Sequence, residues 1–220
     1  FTFFASIAIL FVLMAVLTPV IEKNMLYHPS RHPKGDWNPA EQGLKVEEVW
    51  FHSKDGVKLH GWFVPAPDAH ATMLWFHGNA GNLSHRLNNM LQLKPLNLNI
   101  FIFDYRGYGK SEGSPSHDGL SQDSQAAYDW LVAQPGISPD QLVLFGRSLG
   151  GVFASEVAAH NPAAGLILES TFTNVRDMAR QVIPWFPAHW FLKSSFDSEA
   201  RLSQNPIPKL FLQLQERHIQ

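Results

Sequence analysis

The residues best placed to do chemistry in this 220-residue chain lie in Gly146-Arg147-Ser148-Leu149-Gly150. The serine stands between two spaced glycines, after the apolar run Leu142–Phe145 and before "LGGVFASEVAAH". A strand that turns this sharply into a helix leaves no room for a side chain at 146 or 150, so glycine is required at both. Ser148 is pushed outward in a strained conformation at the carboxyl edge of a sheet, with a helix amino terminus behind it. These are the conditions for a nucleophile.

Acyl transfer to such a hydroxyl places charge on the carbonyl oxygen, which needs two preorganised N–H donors. The main-chain N–H of Leu149, directly after the serine, is one. The loop "FHGNAGN", Phe76 to Asn82, follows an earlier apolar run and supplies the other. We assign it to the N–H of Asn79, with Ala80 as the alternative. His77 is read as a structural group bonding loop backbone, and Asp104 as a hydrogen-bond partner of the "YRGYG" loop.

The elements that must position these groups alternate. "VEEVWFHS" and "KLHGWFVPA" flank the turn "KDG", giving a hairpin over Val46–Ser53 and Leu59–Val64. "ATMLWF", Ile100–Phe103, "QLVLFG", "AGLILES" and "IPKLFLQL" are short apolar runs suited to central parallel strands. Helical spacing falls between them at Leu83–Leu93, at Gly119–Ala133 with Asp118 as its cap, and after Ser148. Strand and helix in this order define an α/β class with a mostly parallel sheet and helices on both faces.

The first 21 residues, "FTFFASIAILFVLMAVLTPVI", carry no charge and have the length of a bilayer core. They read as a transmembrane anchor, and the cleavage site of a secretory signal is not evident. Residues 22–45 read as a linker, proline-rich and wrapped on the surface from Tyr27 onward, and residues 46–220 as the catalytic-type domain. Within it, about 172–200 reads as a cap, where Trp185, Phe186, Trp190 and Phe191 would line an acyl pocket, meet the bilayer or pack on their own domain.

Composition excludes several classes. A formal charge of -2, with 17 basic and 19 acidic residues, argues against a nucleic-acid surface. The absence of cysteine removes disulfides, thiolate metal sites and cysteine nucleophiles. The eleven histidines show no ligand spacing, so no metal is expected.

"LWFHGNAGN", "FDYRGYGKSEGSPS", "LVLFGRSLGG", "LESTF" and "NPIPKLFL", in that order, resemble the α/β-hydrolase superfamily. The closer resemblance is to its membrane-anchored abhydrolase-domain branch, related to serine aminopeptidase and lysophospholipase-like enzymes. The resemblance implies an acyl-serine route to ester, thioester or amide hydrolysis without metal or organic cofactor; the anchor, not the resemblance, points to lipid-derived esters or lipidated proteins as substrates. It also implies an acid in a His-Gly-x-x-Asp pattern after the strand following the cap, and then a histidine. Here Gln213 and Leu214 stand where the His-Gly pair belongs and Arg217 where the acid belongs. Glu169, ending a strand, is a weak substitute, and His218 matches no catalytic slot. The sequence thus reads as lacking the last strand and helix, as a fragment or frameshifted product would, with impaired activity and an open sheet edge. The alternative is a non-catalytic, membrane-tethered binding or scaffold module.

Overall fold

The computed structural model describes residues 27–171 and 206–213. The anchor at 1–21, the cap at 172–200 with its four aromatic residues, Leu214, Arg217 and His218 lie outside the described residues. Among the described residues, no helix is long and apolar enough to cross a membrane.

In chain order the strands are β1 (His28–Pro29), β2 (Glu47–His52), β3 (Lys58–Val64), β4 (Thr72–Phe76), β5 (Ala80–Gly81), β6 (Asn99–Asp104), β7 (Leu142–Arg147), β8 (Gly165–Glu169) and β9 (Lys209–Leu212). The helices are α1 (Leu87–Leu93), α2 (His117–Val132) and α3 (Leu149–His160). Seven strands form one sheet in the order β2-β3-β6-β4-β7-β8-β9. The hairpin β2–β3 is antiparallel, and β3 meets β6 antiparallel. From β6 to β9 every pairing is parallel. All five residues of β4 are buried, as expected of a strand with helices over both faces.

Alternation along the strands divides the core in two. Leu74, Phe76, Phe101, Phe103, Leu142 and Leu144 face one way and pack with Leu120 and Leu131 of α2 and Phe153 and Val157 of α3. Met73, Trp75, Ile100 and Ile102 face the other way, against Leu83, Leu87 and Met90. The sheet is thus covered on both sides, with α1 opposite α2 and α3. At its far edge β9 leaves Leu210, Phe211 and Leu212 half-exposed.

Three local readings change. The expected helix over Leu83–Leu93 is split into a 3-10 turn at Leu83–Arg86 followed by α1. Asn82 caps the 3-10 turn: its side chain accepts from the Ser84 N–H while His85 returns a bond to the Asn82 main chain. The cap of α2 is Ser116, whose hydroxyl accepts from the Gly119 N–H, and Asp118 lies inside the first turn. Residues 27–45 form a strap with defined pairings: β1 runs parallel to β5, and Arg31 bridges to Gly109.

Candidate active site

Ser148 joins β7 to α3 with φ 51° and ψ −119°, a left-handed conformation rare for a residue with a side chain. Such strain persists only where the surroundings enforce it, and here main chain does so on both sides. The Ser148 N–H donates to the Glu169 carbonyl at 2.9 Å, and the Ser148 carbonyl accepts from the Gly151 N–H at 3.0 Å. A Cβ at Gly150 would overlap the Phe76 carbonyl and lie 2.6 Å from that of His77; one at Gly146 would lie 2.7 Å from the Gly150 carbonyl. The two glycines therefore serve close approach of the elbow to β4 and to its own helix.

Although Ser148 occupies the cap position of α3, its side chain makes no capping hydrogen bond. A serine before a helix ordinarily spends its oxygen on the first-turn amides. The residue is half-buried, so its hydroxyl is neither entombed nor committed to the helix. Leu149 opens α3 immediately afterwards, and its N–H is one of the first-turn donors that lack a carbonyl within the helix.

The loop 77–83 approaches from the end of β4. A Cβ at Gly78 would lie 3.6 Å from Cβ of Ser148, which places the loop against the serine and Asn79 one residue further on. Oδ1 of Asn79 accepts from the His28 main-chain N–H at 3.1 Å and from the Tyr108 hydroxyl at 3.0 Å. His77 is buried, with Nδ1 donating to the Gly78 carbonyl at 2.8 Å and Nε2 3.4 Å from Oδ1 of Asp104. It is structural, and turned away from a proton-transfer role.

Asp104 differs from expectation. Its buried carboxylate accepts from the Leu83 N–H at 2.8 Å rather than from the "YRGYG" loop, and the Ser111 hydroxyl, two residues past that loop, donates to the Asp104 main-chain carbonyl at 2.6 Å. Burial opposes its charge, but the His60 and His77 rings and the Leu83 N–H hold the carboxyl below the usual carboxylate range. With His77 before the loop and Leu83 after it, one carboxylate ties both ends together. Glu169 lies 3.7 Å from the Arg147 guanidinium and is turned to that pair.

Sequence reasoning missed Tyr108, His28 and the Arg106 cluster. Arg106 donates to buried Asp123 through Nε (3.0 Å) and Nη2 (2.8 Å) and to Asp55 through Nη1 (2.7 Å). Only its place in the "YRGYG" run hinted at a role. Among the described residues no three His, Asp or Glu side chains converge to hold a metal ion. An open cleft of about 740 Å³ lies between the end of β2 and α2, walled in part by Phe51, Gln122 and Trp130; Ser148 does not line it.

A parallel sheet covered on both faces, with a strained serine between strand and helix and a glycine-bearing loop beside it, defines an α/β-hydrolase fold. Solved structures agree: the esterase Pf2001 of Pyrococcus furiosus superposes with a TM-score of 0.67 at 21% identity, over 84% of this chain and 76% of that one. The family model for serine aminopeptidase, S33 (Hydrolase_4) matches residues 67–216, and the chain belongs to that family. Among its relatives, the alpha/beta hydrolase domain-containing protein WAV2 of Arabidopsis thaliana is 41% identical over 169 residues, 74% of this chain and 54% of its own length. The chain thus spans about half of that relative. Protein bem46 of Schizosaccharomyces pombe is 37% identical over 94% of this chain and 71% of its own.

Proposed function

We propose that the protein is a membrane-anchored serine hydrolase acting on ester, thioester or amide bonds. The observation that carries this is Ser148, held at positive φ at the head of α3 with its hydroxyl unused by the helix it begins. The glycine contacts that press the elbow against β4, and the loop set against it, support the same reading. In the reaction Ser148 Oγ bonds to the acyl carbonyl carbon, and its proton passes to a general base. The carbonyl π pair moves to oxygen, where the Leu149 and Asn79 N–H groups receive it. Collapse expels the alcohol, thiol or amine, which takes up the proton. Water then adds to the acyl-serine and releases the acid, restoring the hydroxyl.

Neither of the two nearby candidates is placed as the base or its acid partner: His77 is turned to Gly78 and Asp104, and Glu169 to Arg147. With Arg217 standing where the resemblance places the acid, turnover by this chain is expected to be impaired. The lipid preference rests on reach. The chain between residues 21 and 27 stretches no further than about 20 Å, and β1 lies against Ala80–Gly81. An anchor at 1–21 would therefore hold the loop beside Ser148 near the bilayer surface.

The test is a fluorophosphonate probe applied to membranes from cells expressing the gene at its own locus. Labelling of Ser148, abolished by Ser148→Ala, is the expected result. A folded protein in the membrane fraction that leaves the probe unreacted would favour the tethered, non-catalytic module.

A further inference from the structure

The loop carrying Asn79 is held from outside by groups the reaction does not use. Oδ1 of Asn79 accepts two hydrogen bonds, from the His28 main-chain N–H and from the Tyr108 hydroxyl. Tyr108 is fully buried, and burial, with Tyr27 and Asp104 nearby, raises its pKa, so the phenol stays protonated as a donor. The strap continues past Asn79. The Ser30 N–H donates to the Gly81 carbonyl at 3.0 Å, and the Asn82 side-chain amide donates to the Ser30 and Lys34 carbonyls at 3.0 and 2.8 Å.

The same strap fastens the loop that bears Tyr108. The His32 N–H donates to the Gly109 carbonyl at 2.9 Å, the Gly109 N–H to the Ser30 carbonyl at 3.0 Å, and the Arg31 guanidinium to the Gly113 carbonyl at 2.7 Å. Residues 28–34 are thus sewn between two loops, and one donor from each side converges on a single atom. Asn79 sits between Gly78 and the Ala80–Gly81 pair, a stretch with little side-chain packing of its own to fix its peptide planes.

We infer that Tyr108 and the His28 main chain are positioning groups for the oxyanion hole, pinning the Asn79 side-chain carboxamide so that the Asn79 main-chain N–H is aimed before substrate arrives. This rests on the hydrolase reading of Ser148. A donor that is already oriented needs no reorganisation when charge develops, and that is where such donors gain their effect. The arrangement also couples the site to the amino-terminal segment: displacing residue 28 removes one of the donors to Oδ1 of Asn79.

The test is the kinetics of Ser148 labelling by a fluorophosphonate, using protein expressed from its own locus and separating inactivator affinity (Ki) from the rate of bond formation (kinact). Tyr108→Phe is expected to lower kinact about tenfold with Ki unchanged. Asn79→Ala should lower it at least as far, and the double variant no further, because both remove the same hydrogen bond. His28→Pro, which deletes the donating N–H at an exposed position, acts in the same direction. Thermal melting follows each variant, and a loss explained by unfolding alone would lower the labelled fraction rather than kinact. Wild-type kinact in Tyr108→Phe and Asn79→Ala, or losses that multiply in the double variant, would overturn the inference while leaving the hydrolase reading intact. A wild-type protein that does not label at Ser148 would remove both.

Discussion

Replacing Gly150 with alanine sets two effects against each other. Inside a helix the exchange is ordinarily favourable by up to about 1 kcal/mol, because alanine loses less backbone entropy on folding. Gly150 lies in the first turn of α3, so helix propensity alone predicts a more stable protein. The packing says the reverse. The new Cβ would overlap the Phe76 carbonyl and sit 2.6 Å from the His77 carbonyl, both main-chain atoms of the adjoining strand end. Overpacking costs about 1–3 kcal/mol, and the upper end applies where no flexible side chain can move aside. Subtracting the propensity gain from about 3 kcal/mol leaves a net loss of about 2 kcal/mol. At about 2–4 °C per kcal/mol for a chain of this size, Tm falls by about 4–8 °C. Circular dichroism melting of Gly150→Ala beside wild type measures it directly. A Tm equal to or above wild type would show that the elbow is not pressed against β4, and the argument for a strained, outward Ser148 would go with it.

Arg106→Met leaves Asp123 buried without its guanidinium partner, which should cost about 3–5 kcal/mol in urea denaturation; a companion Asp123→Leu change should restore much of it, and a null effect of Arg106→Met would deny the pair any structural role. The Arg106 hydrogen bonds hold the Asp55 carboxyl down at about 2, below an unfolded value of about 3.9. A depressed acid contributes stability that is complete above the unfolded value and lost as pH falls through the folded one. Wild type should therefore lose more Tm than Asp55→Asn between about pH 4 and pH 2, by a modest amount because the Asp55 side chain is 42% exposed; parallel acid limbs in the two proteins would contradict this.

The parallel core was legible because β4 and β6 are apolar on both faces, a pattern that only a doubly covered strand needs. The elbow was legible for a local reason too: two close approaches of main chain, each demanding glycine, fall within five residues of sequence. What stayed hidden depends on distant partners. Nothing near Asn79 announces that its side chain meets residues 28 and 108, and nothing near Asp104 says that its carboxylate turns to Leu83 instead of its own following loop. The α2 cap went to Ser116 over Asp118 because "SPSHDG" offers two capping residues in three positions, and the register of the first turn decides between them. The 3-10 turn escaped because His85 closes its capping box where Glu or Gln is the usual signal.

The strand order has a consequence for synthesis. β4 is paired on one side with β6 and on the other with β7, so Thr72–Phe76 gains its second neighbour only when Leu142–Gly146 arrives. A ribosome adding about 5–20 residues per second takes about 3–13 s to make the intervening stretch. For that interval the nascent chain carries a strand that is apolar from Met73 to Phe76 with an unoccupied edge, the kind of surface that chaperones recognise. The turn at Ser148 closes just as that wait ends, so the reactive hydroxyl is shaped by the same event that seals the centre of the sheet.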